Sequence, residues 1–192
     1  MSREDKYASY KELSKTEKEG VDYNVTARPV TGSLIAIVAP HGGKIEPLTA
    51  ELARSIAGDD YNFYAFEGEK QSNNLDLHIT SHRFDEERAL ALIGPCKKVV
   101  TVHGLRGEAQ SLQIGGRDEE LRGRIDEALR AAGFDSQVVT EGQFGGMEPN
   151  NICNRGSTGK GVQLELHRGL RNAFRNDSVF YAKFVDTVRS AL

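Results

Sequence analysis

The sequence predicts an α/β fold, a mostly parallel or mixed β-sheet flanked by helices, and three observations predict it. Residues 33–46, SLIAIVAPHGGKIE, are a run of small and β-branched apolar residues that stops at His41, two glycines and a carboxylate. A run of that length bounded by turn residues reads as a buried, parallel strand. Residues 97–104, KKVVTVHG, repeat the pattern and again end in His-Gly. Around these runs, segments with helical apolar spacing alternate with short strands, the chain order of a sheet sandwiched by helices. Both His-bearing strands then end at the carboxyl edge of the sheet, where α/β proteins build their sites.

At 192 residues the chain can bury one ordinary core, so a single domain over residues 1–192 is expected, with residues 1–20 peripheral to it. Lys and Arg total 25 against 28 Asp and Glu, a net charge of -3. No global basic field therefore draws the protein to nucleic acid or anionic lipid. Cys96 and Cys153 have no metal-binding spacing and suggest no disulfide scaffold. Residues 1–20 are charged throughout, unlike a secretory signal, and no later window resembles a membrane span. The expectation is a monomeric, cytoplasmic protein with no nucleic-acid or membrane partner.

Taken in order, residues 7–19 hold good helix formers with Tyr7, Tyr10 and Leu13 on one edge, predicting a short peripheral helix. Residues 23–26 predict an edge strand stopped by Pro29 and Thr31-Gly32. After the 33–46 strand, residues 47–58 predict a helix with Pro in its first turn, Gly as its stop and Leu48, Leu52 and Ile56 as its stripe. Residues 62–67, NFYAFE, are strand-like and end on Glu67. A polar loop over 69–75 leads to a short strand over 76–81, then to a helix over 85–93 with an acidic first turn, then to the His103 strand. Strands over 109–114 and 137–140 bracket the clearest helix, 118–132. Residues 141–161 have no period of either kind; so long a connection is usually functional or disordered, because ordering it costs entropy that nothing regular offsets. Residues 162–167, VQLELH, put Val162, Leu164 and Leu166 on one face and Gln163, Glu165 and His167 on the other. A basic stretch over 168–175 and an amphipathic helix over 178–192 close the chain.

Two strand-end imidazoles with a carboxylate close to one of them supply the ligands of a catalytic zinc, His41, Glu46 and His103, with a fourth position left for water. Nitrogen and oxygen ligands without thiolate suit zinc at a hydrolytic site, and Mn or Co fits the same set. Glu67, at another strand end, is the rival carboxylate. Glu165, mid-strand among apolar residues, needs a partner or a task if it is buried. It is either a general base that takes a proton from attacking water and hands it to a leaving nitrogen, or a salt-bridge partner of Arg168 or Arg171. Arg155, Lys160, Arg168, Arg171 and Arg175 concentrate positive charge around the long loop and after the Glu165 strand, with the neutral amide of Asn154 beside them. In a net-acidic protein such a cluster points to an anionic substrate, with Lys160 and Arg175 the members that read best as a solvated face. GSTGKG at 156–161 is not a phosphate loop, because Asn154 and Gly161 stand where that motif needs Gly and Ser or Thr. No spacing ties His78 and His82 to the ligand set, so they read as surface or structural residues. Cys153 lacks a paired base.

Several blocks together, HGGKIE (41–46), YNFYAFEG (61–68), DLHITSHRFDE (76–86), VHG (102–104), NNICNRGSTGKGVQLEL (150–166) and RG (168–169), resemble the phage poly-γ-glutamate hydrolase family, also labelled phage-related replication proteins. The similarity runs from about residue 7 to residue 175. The resemblance implies a single zinc hydrolase domain with an open mixed sheet and a carboxypeptidase-like core. It implies cleavage of γ-glutamyl amide bonds in a polyanionic polymer, which a protein expected to carry no secretory signal would meet outside the cell only after host lysis. By the same resemblance His41, Glu46 and His103 match the metal ligands and Glu165 the general base. The spacing in HGGKIE departs from the His-x-x-Glu of carboxypeptidases proper. Asn154-Arg155 is similar to the Asn-Arg pair that holds a substrate carboxylate in those enzymes, but here it follows the third ligand. Two other functions compete: a metal-dependent amidohydrolase acting on a small N-acyl amino acid, and a non-enzymatic replication-associated nucleic-acid-binding protein. The second lacks the expected basic surface with aromatics among Lys and Arg.

Overall fold

The computed structural model describes residues 4–192. Its strands are β1 (Tyr23–Arg28), β2 (Ile35–Gly43), β3 (Asn62–Gly68), β4 (Lys98–Leu105), β5 (Ser111–Gly115), β6 (Asp135–Val138) and β7 (Val162–His167). Its helices are α1 (Tyr10–Leu13), α2 (Thr49–Ala57), α3 (Glu87–Ile93), α4 (Glu119–Ala131), α5 (Arg168–Asn176) and α6 (Ser178–Ser190). One seven-stranded sheet runs in the order β1-β3-β2-β4-β7-β5-β6. The centre, β3-β2-β4-β7, is parallel. β1 and β5 join it antiparallel, and β6 pairs parallel with β5. This is the mixed, mostly parallel sheet that the sequence predicts. β2 and β4 are buried on both faces along nearly all their length, which is why they read as unbroken apolar runs.

Strand alternation divides the core in two. Ile37 and Ala39 of β2, Val100 and Val102 of β4, and Leu164 and Leu166 of β7 point to one face. There they meet Leu52 and Ile56 of α2, Leu121, Ile125 and Leu129 of α4, Phe174 of α5 and Phe184 of α6. The i, i+4, i+8 spacing on α4 gives that helix one apolar stripe. Ala36, Val38, Tyr64, Phe66 and Val99 point to the other face, against Leu13, Leu77, Ile79, Phe84 and Ile93. This second face is covered by α1, α3 and two single 3-10 turns, Asn74–Leu77 and Ser81–Arg83.

Four expectations change. The helix expected over 7–19 shrinks to Tyr10–Leu13. Ser9 caps its start through the Glu12 N–H, and the chain then turns so that buried Glu17 accepts from Tyr7 Oη at 2.6 Å and Lys70 Nζ at 2.9 Å. The strand expected over 76–81 does not pair. Its backbone groups go elsewhere: Thr80 N–H donates to Asp5, and the Ile79 carbonyl faces His41. Helix α2 starts at Thr49 because Leu48 holds a left-handed φ of 80°, uncommon for a leucine. The basic stretch from 168 is a helix, α5, stacked on β7. Among the described residues no helix is long and apolar enough to cross a membrane.

Candidate metal centre

Simple alternation would aim His41 at the helix-covered apolar face, since it shares parity with Ile37 and Ala39. The register of β2 against β3 shifts between Ala39 and Gly42, however, and this bulge turns His41 to the opposite face, beside His78 and Phe84. Pro40 sits in the same bulge, where a strand tolerates a residue without an N–H. His103 and Glu165 need no such device: they are register partners on the adjacent parallel strands β4 and β7, facing the same side. Glu46 is returned to the edge by a turn in which its N–H donates to the His41 carbonyl at 2.9 Å. Its Oε2 accepts from the Gly104 N–H at 2.8 Å. Position 104 must be glycine for this approach, because a Cβ there would lie 2.9 Å from Arg171 Cζ and 3.0 Å from Glu46 Cβ.

The result is a tight cluster of donors. His41 Nδ1 lies 3.2 Å from His103 Nδ1 and 3.3 Å from Glu46 Oε1, and His103 Nδ1 lies 3.7 Å from Glu46 Oε2. Three ligand atoms on one tetrahedral metal with bonds of ~2.0–2.1 Å stand ~3.3 Å apart. His41 Nε2 is 2.8 Å from the Ile79 carbonyl, which can only accept, so Nε2 carries the proton and Nδ1 offers its lone pair to the cluster. Burial brings the His41 imidazole down to about 4, so the ring is neutral at pH 7. Burial alone would raise the Glu46 carboxyl, but His41 and His103 hold it well below the ordinary carboxylate range. For His103 burial opposes the charge, and Glu165 and Glu46 overcome it and raise the ring above its ordinary value. Two imidazole nitrogens and an ionised carboxylate this close form a donor set whose chemistry suits zinc.

His78, which sequence spacing did not connect to the site, belongs to it. Its ring stacks on His41 with centroids 4.1 Å apart, and ligand atoms of His41, Glu46 and His78 come within 4.8 Å of one another. The two sets share His41 and Glu46: His78 Nε2 lies 3.8 Å from Glu46 Oε1 with its Nδ1 held by Asp5, and His103 Nδ1 lies 3.7 Å from Glu46 Oε2 and 3.2 Å from His41 Nδ1. Glu67 is not a rival: its carboxylate lies 3.9 Å from Arg54 of α2, on the far side of the strand edge.

Glu165 is buried and makes no ion pair with Arg168 or Arg171 among the described residues. Burial pushes its carboxyl up to about 7, against the pull of His103 and with a further push from Glu46. Gln163 Nε2 donates to Glu165 Oε1 at 3.1 Å and to the Phe144 carbonyl at 2.9 Å, and Asn151 Nδ2 donates to Gln163 Oε1 at 2.8 Å. The loop over 141–161 thus fixes the side chain that β7 presents.

The arginines and Asn154 divide differently from expectation. Arg171 is buried with its guanidinium on three backbone carbonyls, Pro47 (2.5 Å), Leu105 (3.0 Å) and Leu166 (3.2 Å). These carbonyls adjoin Glu46, follow His103 by two residues and adjoin Glu165, so Arg171 ties the three site-bearing segments together, and it also lines the cleft. Asn154 is buried too: its amide donates to the Gly146 and Glu148 carbonyls and its oxygen accepts from the Arg117 and Gly161 N–H groups. Nothing of it remains for a ligand. Arg155 is exposed outside the cleft. The cleft has a volume of about 900 Å³ and is lined by the cluster, Glu165, His82, Arg106, Arg168 and the loop over 142–148. Arg168 is exposed and paired with Glu108, whereas the Arg106 guanidinium makes no hydrogen bond or ion pair among the described residues. No pattern distinguished Arg106, a lone arginine just past a strand.

Fold and site together define an α/β protein with a buried His–Glu–His cluster at the carboxyl edge of a parallel strand group, and beside it a carboxyl whose pKa is raised by burial. The chain belongs to the poly-gamma-glutamate hydrolase family, whose model matches residues 7–185. It is 39% identical over 171 residues to UPF0714 protein YndL of Bacillus subtilis (strain 168), covering 88% of this chain and 67% of YndL. The solved structure of a bacteriophage poly-gamma-glutamate hydrolase superposes with a TM-score of 0.92 at 31% identity, over 98% of this chain and 96% of that one. A structure described as YNDL-apo (Zinc-free) superposes with a TM-score of 0.91 at 35% identity, over 98% and 97%.

Proposed function

We propose that the protein is a zinc-dependent hydrolase that cleaves γ-glutamyl amide bonds in poly-γ-glutamate. The observation that carries this reading is the convergence of His41 Nδ1, His103 Nδ1 and the Glu46 carboxylate at 3.2–3.7 Å, with the His41 tautomer set by the Ile79 carbonyl. Those three residues would hold the metal. The chemistry a bound zinc supplies is charge that polarises a scissile carbonyl and acidifies water. Family membership supports the substrate, and the zinc-free description of a relative's structure supports the metal.

Glu165 is the general base. Its carboxyl, brought up to about 7 by burial, can take a proton from attacking water and return it to the leaving nitrogen at neutral pH. Gln163 and Asn151 keep it aimed at the cluster. Arg106 and Arg168, on the cleft wall, meet the free α-carboxylates that a γ-linked chain presents at regular intervals, and Arg168 can exchange its exposed Glu108 for a substrate carboxylate at little cost. Asn154 and Arg155, which do not line the cleft, take no part in that contact, and Arg171, which does line it, adds positive charge while its donors rest on backbone carbonyls. The test incubates zinc-loaded protein with poly-γ-glutamate, an α-linked polyglutamate and a neutral peptide, following chain length at rising salt. Selective shortening of the γ-linked polymer, weakened by salt, is expected. Equal cleavage of all three, or of none with zinc bound, would favour the small N-acyl amino acid amidohydrolase.

A further inference from the structure

The amino-terminal segment crosses the second face of the sheet, and one of its side chains ends beside the metal centre. The Asp5 side chain is nearly buried there, 4% exposed. Its Oδ1 accepts from His78 Nδ1 at 2.6 Å, and its Oδ2 accepts from both the N–H and the Oγ1 of Thr80 at 2.6 Å. Between those two residues stands Ile79, whose carbonyl accepts the Nε2 proton of His41. Two residues further on, Ser81 Oγ lies 3.5 Å from His103 Nε2, at the outer limit of a hydrogen bond. Residues 78–81 therefore provide the groups behind both histidines, yet they form no strand: one 3-10 turn ends at Leu77 and the next begins at Ser81. Regular structure does not hold this loop in register; a carboxylate from more than seventy residues away does.

We infer that Asp5 is a positioning residue for metal binding: by pinning His78 and Thr80 it fixes the Ile79 carbonyl, and so fixes the tautomer and angle of His41. Docking of the amino-terminal segment and retention of the metal are then linked, and the segment is part of the site. The inference rests on the reading of His41, Glu46 and His103 as a zinc site. Groups that hold the distal nitrogen of a ligating histidine typically change metal affinity by about 10–100-fold when removed. Asp5 acts one step further out, through the loop.

The experiment titrates zinc into metal-free protein against a chromophoric chelator, for wild type, Asp5→Ala, Asp5→Asn and Tyr7→Phe, with thermal unfolding of each metal-free protein alongside. Tyr7→Phe loosens the same segment at its contact with Glu17, away from residues 78–81. The expected result is zinc affinity about 10-fold or more weaker in Asp5→Ala, a smaller loss in Asp5→Asn, which keeps an acceptor oxygen, and wild-type affinity in Tyr7→Phe. Wild-type affinity in both Asp5 variants would overturn the inference and leave the zinc site intact. A loss in Tyr7→Phe that matches its loss of stability would overturn it as well, since general loosening would then suffice. No zinc binding by wild type would overturn the site and the inference together.

Discussion

The two faces of the central sheet are made by the same strands and held by different physics. On one face Ile37, Val100, Val102 and Leu164 meet α2, α4, α5 and α6 in an uninterrupted apolar layer. On the other, β2 and β4 carry apolar residues at their amino ends and His41 and His103 at their carboxyl ends, and β7 carries Gln163 and Glu165. The first face is closed by helices whose backbones satisfy themselves, so it needs only volume and shape. The second is closed by α1, α3 and, around the site, by short turns and loops whose backbone groups are free to bond side chains, as the Ile79 and Phe144 carbonyls do. Regular cover gives stability; irregular cover gives a place where buried charge can be held in a chosen direction.

Neighbours on β7 test this contrast most sharply. Glu165→Gln should keep the fold and the metal and lose on the order of 10²–10⁴ in turnover. Leu164→Ala, one residue away on the other face, should lower stability by about 2–5 kcal/mol while the remaining folded protein keeps wild-type metal affinity. Denaturant unfolding and single-substrate kinetics on both variants decide it; an active Glu165→Gln enzyme would remove the division of labour between the faces.

Arg171→Lys probes the tie between the segments. Lysine keeps the charge but cannot reach three carbonyls in one plane. Stability should fall by about 1–3 kcal/mol as buried carbonyls lose their donors, and zinc affinity should fall with it. An unchanged zinc affinity would make Arg171 part of the scaffold only.

Much of this was legible in the chain. Two apolar runs that end in His-Gly mark parallel strands and their carboxyl edge, and a glutamate inside VQLELH marks a buried carboxylate. What could not be read were the features made by non-local bonds. The bulge at Pro40 that turns His41 is set by pairing with β3. His78 reaches the cluster because Asp5 holds it. Asn154 read as a substrate-binding residue by type, but tertiary contact gave it buried carbonyls and N–H groups to satisfy, and Arg171, which lines the cleft, also carries backbone carbonyls that its type did not announce. Residues 7–19 read as a helix because local propensity does not register that Glu17 has Lys70 and Tyr7 to reach.

That glutamate supplies the smallest expected effect. Burial alone would raise Glu17, and Tyr7, Lys70 and Lys6 instead lower it below its ordinary value near 4.5. A lowered folded-state value means its stabilisation is full above about pH 4.5 and is lost as the pH falls through the folded value. Wild type should therefore be more stable than Glu17→Gln at pH 7, with the gap closing in strong acid. A gap that persists unchanged in acid would show that the contact does not depend on charge.

The arrangement stands or falls on which residues hold the metal. Elemental analysis of wild type, His103→Ala and His78→Ala after zinc loading and desalting measures this directly. The geometry predicts about one equivalent in wild type, near none in His103→Ala and close to the wild-type amount in His78→Ala. Zinc retained by His103→Ala and lost by His78→Ala would contradict it and move the ligand set to His41, Glu46 and His78.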